Sequence, residues 1–255
     1  MAASTVGKFF AERGTERVSI REPIDVKPFL GKPDLHWKEG RSAYELATSW
    51  LAADGVPAAV RAVLGEAADW RSAALDEAVF EKKVELRTPG AASQTDLMAY
   101  VTLADGPAVL AVEGKVDETF GQRVDDAGMS PGQTARATDL CTMLGIAFAN
   151  AGSLRYQLLH RTASAVLEAQ RMKARRAIML VHSFDPGQAG RADFEAFAHR
   201  LGVEGAGAGR VSSPKMIEGI ELRLAWVADR PFVHKPRVQY FALGGTIATM
   251  PTESG

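Results

Sequence analysis

Residues 93–118, SQTDLMAYVTLADGPAVLAVEGKVDE, constrain the fold of this chain more tightly than any other stretch. Two apolar runs flank Asp105-Gly106, a dipeptide strongly associated with the tip of a β-hairpin. With an even-length loop, Ala104 pairs with Pro107, so Asp96 falls opposite Lys115 and Met98 opposite Glu113. Side chains alternate between the two faces of a strand, which puts Asp96, Glu113 and Lys115 on one face. An odd loop would turn Asp96 to the other face. Directly opposed residues stand about 5 Å apart at Cβ, and diagonal ones about 7–8 Å.

The surrounding segments frame this hairpin. Residues 1–40 hold a Pro- and Gly-punctuated stretch, REPIDVKPFLGKPDLHWKEG, and read as an irregular, extended lead-in. SAYELATSWLAADG has helical apolar spacing, with Ser42 and Glu45 placed as a capping box. VPAAVRAVLGEA reads as a shorter helix, and AVFEKKVELRTPG as a strand ending at Pro89-Gly90. Beyond Gly121 the spacing is helical again, in GQTARATDLCTMLGIAFANAG and in a longer helix capped by Ser153. AIMLVHSF is continuously apolar, as a strand buried on both faces must be. ADFEAFAHRLGV follows as a helix, GAGAG as a flexible loop, and GIELRLAWVAD as a strand. The final stretch, FALGGTIATMPTESG, carries no assignment. The expected class is therefore α/β, with a mixed central sheet, an antiparallel meander and flanking helices. The expected divisions are the lead-in 1–40, an α/β core over 41–204, and a C-terminal extension over 205–255 that packs on the core.

Composition narrows the function. The chain has 255 residues, 46% hydrophobic and 24% charged, which is enough to bury a substantial core. A formal net charge of −1 supplies no overall basic field toward nucleic acid or an anionic membrane. Cys141 is the single cysteine, so neither a disulfide framework nor a Cys-rich zinc site can be built. That usage fits a reducing, cytoplasmic setting. No apolar run is long enough to span a membrane, and no secretory h-region is visible at the N-terminus.

Two readings of the hairpin face compete. In one it is a solvated strand face carrying cross-strand ion pairs. In the other, Asp96 and Glu113 share a cation. Mg²⁺ takes oxygen ligands, commonly one or two carboxylates completed by water and substrate phosphate. A lysine beside them can orient water or stabilise charge on phosphorus. Asp is depleted in strands, and its placement at the parity of Lys115 tilts the balance toward a site. Gln94 shares that parity and is a candidate for substrate contact. Gln157, with His160 or Arg161 a turn away, presents polar groups on a later helix.

Asp96 followed by Glu113-Gly114-Lys115 on the next strand resembles the PD-(D/E)xK nuclease superfamily, with its restriction-endonuclease-like fold. The resemblance covers residues 42–185 or so. It implies a helix, a three-strand meander, a polar helix beside the site, and a further strand. It also implies a nuclease using Mg²⁺ or Mn²⁺. Asp96 and Glu113 would be ligands, and Lys115 the cationic partner. Glu45, or else Glu85, would stand for the helical acid, and RYQLLHR, with Gln157 and Arg161, for the helical polar motif. Thr95 stands where the family often has Pro. Nucleic acid is the implied partner, DNA favoured over RNA, and a homodimer is an open option. A fold retained without catalysis, as an interaction module, is the alternative. For Glu45 the capping box competes with the ligand role, since one side chain cannot serve both.

Overall fold

The computed structural model describes residues 7–231, and the structural statements below concern those residues. In chain order the strands and helices are β1 (Phe9–Arg13), β2 (Glu16–Ser19), α1 (Pro33–His36), α2 (Ser42–Ala53), α3 (Ala58–Gly65), β3 (Ala74–Val84), β4 (Ser93–Leu103), β5 (Gly106–Lys115), α4 (Pro131–Leu144), α5 (Tyr156–Arg171), β6 (Arg176–Ser183), α6 (Arg191–Leu201), β7 (Arg210–Val211), β8 (Lys215–Ile217) and β9 (Ile220–Ala228). They form a mixed nine-stranded sheet in the order β2-β1-β3-β4-β5-β6-β9-β7, with β8 also paired to β9.

The middle of the sheet is β3-β4-β5, antiparallel throughout, followed by β6 and β9, each parallel to its neighbour. Parallel neighbours need a crossover, and α4 with α5 supplies the one from β5 to β6. Both faces are covered, so the central strands can be apolar on both sides. Leu97, Ala99, Leu110, Val112 and Leu180 face α2 and α3, whereas Met98, Tyr100, Val109, Ala111 and Met179 face α4, α5 and α6. Cys141 is buried in the second of these layers.

Several expectations change. The first 40 residues are not wholly irregular, because β1 pairs parallel with β3 and extends the sheet. Residues 205–231, expected as an extension, supply β7, β8 and β9 to that same sheet. Ser42 makes no capping box: Arg41 is the N-cap of α2, the Ser42 hydroxyl donates to Glu118 Oε1 at 3.0 Å, and Glu45 accepts from the Gly40 N–H at 2.8 Å. Arg155 rather than Ser153 caps α5. The unassigned C-terminal stretch from Phe241 lies outside the described residues.

The hairpin register also differs. Leu103 pairs with Gly106, so the turn centres on Ala104-Asp105, one residue earlier than expected. Gly106 adopts φ +139°, which a side chain would disfavour, and spends that freedom on entering β5 rather than at the turn centre. Pairs shift by two residues, so every side chain keeps its face. Asp96 now lies level with Glu113 instead of Lys115.

Candidate functional site: a carboxylate row under a helical arginine

The β4–β5 ladder runs to Leu97 and Val112, and the next positions are Asp96 and Glu113. There the Asp96 carboxylate takes over as backbone partner, with Oδ2 accepting from the Gly114 N–H at 2.9 Å. On the other side of β4, Phe80 pairs with Leu97 and Lys82 with Thr95, which sets Glu81 level with Asp96. Glu81 has φ +54°, a left-handed conformation unusual in mid-strand. Glu81, Asp96 and Glu113 therefore make a row across three neighbouring strands.

Helix α5 lies over β4, β5 and β6 and delivers the counter-groups. Arg161 Nε donates to Glu113 Oε2 at 2.5 Å, its Nη1 donates to Ser93 Oγ at 3.1 Å, and Nη2 stands 3.8 Å from Asp96 Oδ1. One turn earlier, Gln157 Nε2 donates to Glu113 Oε1 at 2.6 Å. Lys115 Nζ donates to Glu113 Oε1 at 3.0 Å and to Gln157 Oε1 at 3.2 Å. Phe120 closes over the ammonium, with its ring centroid 4.8 Å from Nζ. Glu113 and Lys115 are almost wholly buried, at 3% and 5% exposure. The hairpin face is thus no solvated surface.

The electrostatics divide the three acids. Burial pushes the Glu113 carboxyl up, but Arg161 and Lys115 outweigh it and hold the group down at about 2. Burial, then the adjacent Glu113 charge, lifts Asp96 to about 7 against the pull of Arg161 and Lys115. Burial and the Asp96 charge lift Glu81 to about 8, although Gln94 donates a hydrogen bond to it. Burial and Arg161 push His160 down to about 3, and its Nδ1 is hydrogen-bonded with Ser93 Oγ at 2.9 Å. Glu81, Asp96 and Glu113 face Arg161 and Lys115, which leaves carboxylate in excess by one.

The site opens into a cleft of about 840 Å³ bounded by the Pro89–Ser93 loop, residues 118–122 and the start of α5. Arg136 holds that loop from behind, donating to Ala91 O at 2.5 Å and Thr88 O at 3.2 Å. A domain of unknown function, DUF6946, matches residues 19–231. The chain belongs to the DUF6946 family. Neither the curated proteins nor the solved structures contain a match to it.

Asp96, Glu113, Lys115, Gln94, Gln157 and Arg161 all line this DUF6946 cleft. Glu45 does not, and Glu85 is exposed just beyond β3. Glu81 and Ser93 were not expected to join the row, whereas His160 was read with Gln157 on the polar helix face. Glu81 had no signal in the sequence, because its level with Asp96 is set by the β3–β4 register. Among the described residues, no group of three or more His, Cys, Asp or Glu side chains is arranged to hold a metal ion. No helix among them is long and apolar enough to cross a membrane.

Proposed function

We propose that this DUF6946 domain is a metal-dependent nuclease that hydrolyses phosphodiester bonds, with DNA favoured over RNA. The observation that carries the reading is the convergence of Asp96, Glu113 and Lys115, under Gln157 and Arg161, on the floor of one cleft. The order α2, the β3–β5 meander, α4–α5 and parallel β6 supports it, being the order expected of a restriction-endonuclease-like core.

The donor set suits Mg²⁺ or Mn²⁺ in chemistry. Asp96 and Glu113 offer oxygen ligands, and the surplus carboxylate charge calls for a proton or a cation to balance it. Both Glu113 oxygens already accept hydrogen bonds, Oε1 from Lys115 and Gln157 and Oε2 from Arg161, so the remaining lone pair on Oε2 is the one Glu113 would offer a metal. A bound metal supplies a more acidic water and neutralises charge on the phosphoryl oxygens. Lys115 is held by three acceptors, on Glu113, Gln157 and Thr119, and has its ammonium fixed beside Glu113, where it can orient water or stabilise charge developing on phosphate. Arg161, on Glu113, also favours a second reading: a nuclease-fold interaction module in which the arginine is a permanent internal cation.

Calorimetry with Mg²⁺ and Mn²⁺, paired with cleavage assays, separates the two. The expected result is binding in the wild type that Asp96→Ala and Glu113→Ala abolish. Lys115→Ala should keep binding and lose on the order of 10²-fold in rate. Cleavage absent across metals and substrates, or unchanged in Asp96→Ala and Lys115→Ala, overturns the nuclease.

A further inference from the structure

The groups expected to do chemistry sit at the bottom of the cleft, and the shape above them restricts what can reach them. A second cavity of about 470 Å³ adjoins the first. The two share His36, Ser42, Gln94, Asp96, Gln157 and Arg161, so together they form one groove with Asp96 where they meet. One end carries Lys32. The other carries Arg136, Tyr156 and His160. Tyr156 and His160 present a pair of rings, centroids 5.1 Å apart and inclined at 62°, on the first turns of α5. The groove is therefore basic or aromatic at its ends and acidic in the middle.

The walls rise on both sides of the buried Glu113 and Lys115. The Pro89–Ser93 loop is latched by Arg136, and a Cβ on Gly90 would meet Arg136 Nη2 at 2.1 Å, so this wall already stands in close contact with its support. An intact duplex presents its phosphates on the outside of a rod whose major groove alone is roughly 12 Å wide. Such a rod cannot lower a phosphodiester between two walls onto residues that are 3% and 5% exposed. Two arginines adjacent in sequence to cleft-lining residues pair with carboxylates, Arg41 with Asp117 at the surface and Arg155 with Asp193. A single strand needs less charge, because aromatic side chains can stack its bases whatever their sequence.

We propose that the groove takes one strand of nucleic acid, threaded from the Lys32 end past Asp96 to the Tyr156/His160 end, with a base packed on the Tyr156 ring. The proposal rests on the nuclease reading for the chemistry at Asp96. It adds the substrate class: single strands, or strand ends freed from a duplex.

The test compares a single-stranded oligonucleotide with a hairpin-capped duplex of the same sequence, in Mg²⁺ and in Mn²⁺. Fluorescence anisotropy of the labelled single strand is read in parallel. The single strand is expected to be cleaved at least about ten times faster. Tyr156→Leu should raise KM for it about ten-fold with kcat little changed, while Tyr156→Phe, which keeps the ring, behaves as wild type. Capped duplex cleaved as fast as single strand overturns the proposal and leaves the nuclease standing. So does equal KM in all three proteins. Single-strand binding that Tyr156→Leu weakens, without cleavage in either metal, sinks the nuclease and upholds the groove. Neither binding nor cleavage sinks both.

Discussion

The carboxylate row makes the stability of this protein fall between pH 5 and pH 8, the reverse of the usual behaviour of ion-paired acids. Asp96 and Glu81 have folded values of about 7 and 8, above the ordinary carboxyl range near 4. Across that window the folded state keeps a proton that the unfolded chain has released, so unfolding is progressively favoured as pH rises. Each unit of separation is worth about 1.4 kcal/mol, and three units give about 4 kcal/mol as an upper limit for Asp96. Asp96 and Glu81 titrate as a pair. A fifth of the Asp96 side chain, 22%, is open to the cleft, and solvent there screens part of the effect. We therefore expect a net loss of about 2–3 kcal/mol, or roughly 5–10 °C in Tm for a chain of this size. Glu113 acts in the opposite sense but elsewhere. Its folded value of about 2 lies below the ordinary range, so its contribution is present above about pH 4.5 and is lost only in stronger acid. The assay is thermal unfolding at pH 5, 6.5 and 8 for wild type and Glu81→Gln, without divalent metal. Tm should fall steadily in the wild type and about half as steeply in the variant. A flat or rising wild-type profile, or an unchanged slope in Glu81→Gln, would refute the shared-proton account.

Two further perturbations probe the frame around the site. Gly114→Ala adds a Cβ 3.3 Å from Ser42 O and 3.4 Å from the Leu46 side chain, where α2 packs on β5, and should cost about 1–2 kcal/mol in urea unfolding by pushing the helix off the strand that carries Glu113 and Lys115. An unchanged midpoint would mean that α2 yields freely. Lys215→Met removes the ammonium that donates to Leu144 O at 3.1 Å and Leu201 O at 2.6 Å, tying together the C-terminal ends of α4 and α6. The expected loss is about 2–3 kcal/mol in the same assay, and a loss under about 0.5 kcal/mol would show that water replaces the lysine without cost.

What was legible in the sequence follows from local periodicity. Alternation over 93–118 put Asp96, Glu113 and Lys115 on one face, and that survived a register shift of two residues because the period of a strand is two. The apolar run AIMLVHSF reads as a doubly buried strand whatever its neighbours are, and β6, Arg176–Ser183, is one. The turn centre was not legible, since Asp105-Gly106 satisfies both a turn and a strand entry and only the ladder chooses between them. The Ser42–Glu45 spacing satisfies a capping box, yet Glu118, distant in sequence, arrives to take the Ser42 hydroxyl. The same holds for β1, whose short FFAER becomes a strand only by pairing with β3. By itself, then, the sequence determined the elements and the faces of the central hairpin, because those depend on residues a few positions apart. Tertiary structure decided that this face is buried, that Glu81 joins it from β3, and that Arg161 from α5 lies on it. Those three facts depend on strand order and helix docking, and no periodicity within one segment encodes which segments become neighbours.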